Sequence, residues 1–565
     1  MLDELTEVKM KKVIGRECRN IVHLEAIEDK REDTHVISEI LHYEDGTKEK
    51  KLTLLKNYQR PFWITKEHYR NHEQKKEAED IEKLDKHYST VSELGKNIAI
   101  RLGKRYIGRT HIRDVIDSPY VYGIDVTSGT LLRNHYHRTF PDFNTPWSIA
   151  VLDFEADPLT GEVFMVSLVM SDKIYTVVDK NFYGDMREVE QKVEYLFQKY
   201  VPDCDFKNIT DKEITLVDND LDVVLKVMDK AHKWMPDIIA VWNISYDIQT
   251  AMLGILHKYD IDPAEVFSDP SLPKELKYFK FKEGPRQKLT ESGKFTPVPP
   301  HEQWHYVFAP AHFIWIDAMS TYNFVRVGGK NVPGGYSLDN ILEYELKGNM
   351  QKLKFGEESK YKGVEWHLYM QANKKLEYTV YNQWDCGSII TLDDKTKDLK
   401  TTLPMFSGDS GFELFNSSPK RIVEALHFFY EEHGQIPGCK GTKRDDDKIL
   451  GLANWIVLLP SHRVAEMGIP VVFEGKEIRT NTRSYVFDAD CVSSYPSDGL
   501  AANVSRDTTK RKLINIKGIK QPTFMKQNIN LFYGKVNDIE WSNTMLSLPT
   551  LSNLYNNLKD ELEAI

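Results

Sequence analysis

Three short segments hold the residues best suited to chemistry. Asp153-Phe154-Glu155 ends the apolar run Ser148-Ile149-Ala150-Val151-Leu152, which reads as a buried strand. Side chains alternate along a strand, so Asp153 and Glu155 share one face. Two hard oxygen donors side by side suit Mg2+ or Mn2+. Asn243-Ile244-Ser245-Tyr246-Asp247 follows a second buried strand, Ile238 to Trp242, and Asp247 opens a helix. Tyr381-Asn382-Gln383-Trp384-Asp385 falls within a helical stretch, Leu376 to Leu399, where i, i+4 spacing puts Tyr381 and Asp385 on one face. A hydroxyl beside a metal-bound carboxylate can orient an attacking water. Singly, each segment also has a plainer role: an acidic pair facing solvent, a helix cap, a half-buried tyrosine beside a surface aspartate.

The elements between these segments form a strand–helix–strand–helix framework. Gly161 to Val178 reads as two strands joined at Ser171-Asp172, and Leu221 to Trp234 has apolar residues at helical spacing. Residues 276–313, rich in Lys, Pro and Gly, read as a loop-like insertion. Upstream, His35 to Tyr43 has strand character and Asp45-Gly46 is a hairpin-type turn. The charged stretch Glu73 to His87 reads as an exposed helix. The fold class expected is α/β, as an α+β multidomain chain.

Composition narrows the partners less than the motifs do. The chain has 565 residues, 41% hydrophobic and 28% charged, as in ordinary globular proteins, and its length suits several domains. No stretch has the roughly 18 successive apolar residues of a membrane span, and the acidic start Met1 to Glu7 is no secretory signal. Five scattered cysteines without a Cys-x-x-Cys fit reduced thiols in a cytoplasmic setting. A net charge of −10 does not exclude nucleic acid, because local basic patches decide binding and metal-holding carboxylates add bulk acidity.

The order and spacing of the three segments resemble the exonuclease motifs of the DEDD superfamily, Tyr subtype. Further on, Asp490-Cys491-Val492-Ser493-Ser494-Tyr495-Pro496-Ser497 resembles the first palm motif of the family B DNA polymerases, with Ser494 where the family has Leu. Tyr336 to Leu342, followed by Lys352-Leu353-Lys354, is similar to the stretch before the third exonuclease motif in the replicative polymerases of tailed phages. The resemblance spans about residues 145–500. It implies an N-terminal domain over 1–145, with a possible return of the chain at about 396–440. An RNase H-like exonuclease domain follows over 146–395, then a partial palm over 441–565.

Carried over, Asp153, Glu155, Asp247 and Asp385 become ligands of two Mg2+ or Mn2+ ions, with Tyr381 beside them. Asp153, Glu155 and Asp385 hold one ion. Asp153, supported through water by Asp247, holds the other. Asp490 becomes a polymerase metal ligand, and Ser493, Ser494 and Tyr495 become nucleotide-binding residues, Tyr495 lying under the incoming sugar. The Lys280–Pro300 stretch takes the place of the family's β-hairpin, which helps part primer from template.

The fingers motif and the Asp-Thr-Asp palm motif of that family do not occur in this sequence. The function expected is therefore a 3′–5′ proofreading exonuclease on the N-terminal subunit of a split polymerase. Its partners would be single-stranded 3′ ends and primer-template DNA, a C-terminal polymerase chain, dNTP in the complex, and a sliding clamp. The expected location is the cytoplasm of a phage-infected bacterial host. Two other readings stand beside it: a free-standing exonuclease with a vestigial palm, and a non-catalytic scaffold for DNA or a partner.

Overall fold

The computed structural model describes residues 11–72, 75–104, 112–289, 294–327, 332–346, 350–357, 360–402 and 411–439, with the strand backbones 469–473, 476–480, 510–514, 529–533, 535–536 and 539–540. The chain is mixed α/β and divides into two compact units. One comprises Met1–Asn71, Asp80–Ile116 and Tyr120–Cys439; the other comprises His72–Glu79, Asp117–Pro119 and Lys440–Ile565. In the second unit the described strands pair antiparallel: Ile469–Phe473 with Lys476–Thr480, Lys510–Ile514 with Ile529–Tyr533, and Lys535–Val536 with Ile539–Glu540. Asp490, Ser493, Ser494 and Tyr495 lie outside the described residues.

The first unit begins with an antiparallel sheet of β1 (Val13–Leu24), β2 (Thr34–Tyr43) and β3 (Lys48–Lys56). The β2–β3 turn carries Gly46 at φ +81°, a left-handed backbone that glycine adopts without steric penalty. A second sheet pairs β4 (Arg60–Thr65) with β5 (Leu84–Ser89). This overturns the helix expected over Glu73 to His87. Ala78–Asp80 is extended, and Leu84–Ser89 runs antiparallel along Arg60–Thr65. Glu and Lys favour helix only weakly, and cross-strand pairing with Leu84 and Ser89 buried at the strand's ends outweighs that preference. Helix α1 (Ser128–Thr139) follows, capped where the Thr127 side chain accepts from the Thr130 N–H.

The central sheet contains β6 (Ile149–Ala156), β7 (Val163–Val169), β8 (Lys173–Asp179), β9 (Asp211–Val217), β10 (Ile238–Val241) and β11 (Ile314–Asp317). Its order is β9-β8-β7-β6-β10-β11. The steps β6–β7 and β7–β8 are antiparallel, whereas β8–β9, β6–β10 and β10–β11 are parallel. Both faces of the inner strands β6, β7 and β10 are buried, which is why they read as nearly unbroken apolar runs, whereas the edge strand β9 is largely exposed. One face takes Ala150, Leu152 and Phe154 and packs on α2 (Asp220–Trp234) through Val223, Val227 and Met228. The other takes Ile149 and Val151 and packs on α3 (Lys375–Thr396) through Tyr378, Tyr381 and Trp384. Each fully buried aliphatic side chain contributes roughly 1.5–3 kcal/mol.

Two further differences from the sequence expectations concern local form. Asp247 lies in the first turn of a helix, as expected, but it is not the cap, and the helix begins wide, with i→i+5 geometry over Ser245–Met252, before continuing in ordinary form over Leu253–Lys258. The stretch 276–313 is not only loop. Gln287–Leu289 and Phe295–Pro297 pair as a hairpin that exposes Leu289 and Phe295. No helix among the described residues is long and apolar enough to cross a membrane.

Candidate active site and metal centre

Strand alternation sets the site. Ile149 and Val151 point to the α3 side of β6, so Asp153 and Glu155, two and four residues on, point there too. Helix α3 crosses that face and is buried almost all round from Tyr378 to Ile390, including its polar residues Thr379, Asn382, Gln383, Asp385 and Ser388. Buried polar groups need partners. Asn382 Nδ2 donates to Asp153 Oδ2 at 2.8 Å, Gln383 Nε2 donates to Thr176 Oγ1 at 3.0 Å, and the Thr379 hydroxyl bonds that of Tyr183 at 2.6 Å. The helix is thereby fixed in register against the strand. Gly387 lets the helix pack closely on the turn Asp205–Asn208: a Cβ built there would lie 2.3 Å from the Phe206 ring.

The carboxylate oxygens of Asp153, Glu155 and Asp385 lie within 4.8 Å of one another and could hold a metal ion. Asp247 is not part of that trio. It stands close enough to feel Asp153 and Glu155. Asp247 Oδ1 and Asp385 Oδ1 are both buried without a hydrogen-bond partner. Burial is the main reason all four carboxyls titrate high. Asp153 is pushed to about 7, with Asp385 adding to the shift. Glu155 and Asp247 are raised by burial and then by Asp153, and Asp385 is raised by burial against the pull of Lys352. Crowded, desolvated carboxylates of this kind create a demand for positive charge.

Part of that demand is met by Lys352. Its Nζ pairs with Asp385 Oδ2 and donates to the Tyr381 hydroxyl at 3.0 Å. Burial alone would lower its pKa, but Asp385, Asp153 and Glu155 raise it, so it stays an ammonium. Its segment is held by Trp384 Nε1 donating to Gln351 O at 2.9 Å and by the Lys354–Asp339 ion pair at 3.1 Å. Tyr381 is buried, and burial and then Asp385 push its titration well above normal, so its hydroxyl keeps its proton. It can donate a hydrogen bond but cannot serve as a phenolate base.

Reasoning from residue types and spacing assigned no role to four residues around this group. Lys352 appeared only within a stretch of family likeness, because a lone lysine in a loop has no periodicity to place it. Tyr378, one helical turn before Tyr381, donates to Glu155 Oε2 at 2.5 Å and lies 2.7 Å from His367 Nδ1. The i, i+3 relation of Tyr378 and Tyr381 was the available signal. Asp317, at the end of β11, accepts from Ser320 N–H at 2.8 Å and Ile244 N–H at 3.3 Å, tying down the turn that leads to Asp247. Tyr246, beside Asp247, stays 41% exposed, and burial of its inner part with Glu155 and Asp247 pushes its hydroxyl up to about 12.

The donor set is all oxygen, two of its oxygens are orphaned, and its charges repel one another. These features fit a hard divalent cation. No protein-family model matches the chain, and no curated protein matches it.

Proposed function

We propose that this chain is a 3′–5′ DNA exonuclease of the DEDD type, Tyr subtype, belonging to the machinery of a family B DNA polymerase. The convergence of Asp153, Glu155 and Asp385 within 4.8 Å, with Asp247, Tyr381 and Lys352 against them, carries the reading. An RNase H-like fold is supported by the mixed sheet, in which β8-β7-β6 alternate antiparallel and β10 and β11 follow parallel to β6.

Asp153, Glu155 and Asp385 would hold one Mg2+ or Mn2+, and Asp153 with Asp247 a second. When bound, such ions stabilise charge on the phosphoryl oxygens and ease deprotonation of a coordinated water. The chain's own groups do the rest. Tyr381, held by Lys352, orients the attacking water. The Lys352 ammonium adds a fixed positive charge where negative charge develops. Asn382 and Tyr378 fix the orientations of Asp153 and Glu155. Tyr246 offers an exposed ring beside the carboxylates on which a terminal base can stack. Leu289 and Phe295, at the hairpin, offer an apolar edge to DNA in the role of the family's β-hairpin.

DNA synthesis is proposed only together with further polymerase sequence. Asp490 supplies one side of a metal clamp, and no Asp-Thr-Asp string supplies the other.

The test is digestion of 5′-labelled single-stranded DNA in Mg2+ or Mn2+. Stepwise shortening from the 3′ end is expected, with a loss of several orders of magnitude in Asp153→Ala/Glu155→Ala. Cleavage that survives the double substitution would refute the assignment.

A further inference from the structure

A second cluster of metal-ligand type lies in the β1–β2 sheet, away from the carboxylate group. We propose that His23, Asp33 and His35 bind a transition-metal ion of the zinc type. His23 on β1 and His35 on β2 are directly paired in the antiparallel register, so both side chains leave the same face. Their ring centroids are 4.6 Å apart. Asp33 immediately precedes β2, and its Oδ1 lies 2.9 Å from His23 Nε2. One ligand-capable atom from each of the three lies within 4.8 Å of those of the other two.

The supporting bonds are those of a prepared ligand set. His35 is fully buried, and its Nε2 lies 2.8 Å from Ser128 Oγ, at the start of α1. Its other nitrogen, Nδ1, is buried with no hydrogen-bond partner. If Nε2–H donates to Ser128, Nδ1 presents a bare lone pair, the form in which imidazole binds metal. Asp33 Oδ2 accepts from the Ser92 N–H at 2.8 Å, and Oδ1 shares a hydrogen bond with His23 Nε2 that an ion between them would replace. His232 and His427 also bury unpartnered ring nitrogens, but neither belongs to a cluster of this kind.

The geometry selects the class of metal. Around a tetrahedral zinc, with bonds of roughly 2.0–2.2 Å, ligand atoms sit about 3.3 Å apart. The spread from 2.9 to at most 4.8 Å brackets that value, so reaching it closes no gap by more than about 1.5 Å. Two imidazoles and one carboxylate suit Zn2+, Co2+ or Ni2+ and disfavour Mg2+. Three protein ligands leave a fourth position, on the side where His23 remains 20% exposed, for water or an incoming group. The ion would clamp β1, β2 and the chain between them, a role independent of the proposed nuclease chemistry.

The test uses the full chain carrying Asp153→Ala/Glu155→Ala, so that the carboxylate site cannot supply the metal. After loading with Zn2+ and gel filtration, about one equivalent should remain by elemental analysis. Loading with Co2+ should give the intense visible absorption of a four-coordinate ion. Adding His23→Gln or His35→Gln should abolish both, with the far-ultraviolet circular dichroism unchanged. If burial makes His35→Gln unfold, the partly exposed His23→Gln decides alone. Retention of less than a tenth of an equivalent by the parent chain overturns the proposal. So does a full equivalent in folded His23→Gln.

Discussion

Lys352→Met removes the ammonium from Asp385 while nearly keeping the volume of the side chain. In the metal-free protein the penalty should depend on pH. Asp385 titrates at roughly 3.9 in the unfolded chain. In the folded chain burial raises it and Lys352 pulls it back. Without the ammonium, Asp385 keeps its proton to higher pH. The folded variant then binds more protons than its unfolded chain, so its stability falls as pH rises. Below about pH 4 Asp385 is protonated in both states, and the variant loses little beyond packing. Between there and the raised folded value of wild-type Asp385 the two proteins lose stability in parallel; above it, the deficit against wild type grows by at most about 1.4 kcal/mol per pH unit. The ceiling is about 3–5 kcal/mol, the cost of removing one partner of a buried ion pair. Lys352 is 19% exposed and Asp385 4%, so screening is modest and about 3 kcal/mol is expected by pH 8. Urea unfolding in chelator at pH 5, 6.5 and 8 reads the deficit directly. Excess Mn2+ should shrink it, because a bound cation replaces the missing charge. Exonuclease turnover should fall about 100-fold through loss of fixed positive charge and of the bond to Tyr381. A deficit that is flat with pH, or wild-type turnover, would show that Lys352 does not balance Asp385.

Three further predictions rest on the same geometry. Tyr381→Phe should slow cleavage about 10- to 100-fold if its hydroxyl positions water as proposed, with Mn2+ affinity unchanged by calorimetry; equal losses for Tyr381→Phe and Asp385→Ala would contradict that role. Gly387→Ala forces a Cβ to within 2.3 Å of the Phe206 ring, and thermal unfolding should show a loss of about 1–3 kcal/mol; an unchanged melting temperature would mean that α3 can move away freely. Asp153 titrates near 7 when folded, so between roughly pH 4 and 7 the metal-free folded state holds a proton that the unfolded state has lost. Stability should therefore fall across that window by at most about 1.4 kcal/mol per unit, and Asp153→Asn should flatten the slope; equal slopes in the two proteins would remove Asp153 as the cause.

The strands and helices that frame the site were legible in the sequence wherever burial left a periodic trace. The run from Ile149 to Phe154 was continuous because both faces of β6 are covered, and the two-residue repeat put Asp153 and Glu155 on one face whatever lay opposite. The i, i+4 spacing of Tyr381 and Asp385 fixed their common face in the same way. What lay opposite was a tertiary matter. Only packing of α3 across β6 brings Asp385 to Asp153 and Glu155, and only the loop anchored by Trp384 and Asp339 brings Lys352 to Asp385. No periodicity marks a contact between segments so far apart in the chain. Glu73 to His87 was misread for a related reason: charged residues read as a solvated helix, but strand pairing with Arg60–Thr65 is a long-range interaction that local composition does not encode. The wide turn at Ser245–Met252 was hidden too, since helical spacing is nearly the same whether a helix closes at i+4 or opens to i+5. The sequence thus determined which side chains share a face, because that follows from backbone geometry within one element. The fold decided which faces meet, and with them the charge balance, the high-titrating carboxyls and the chemistry they permit.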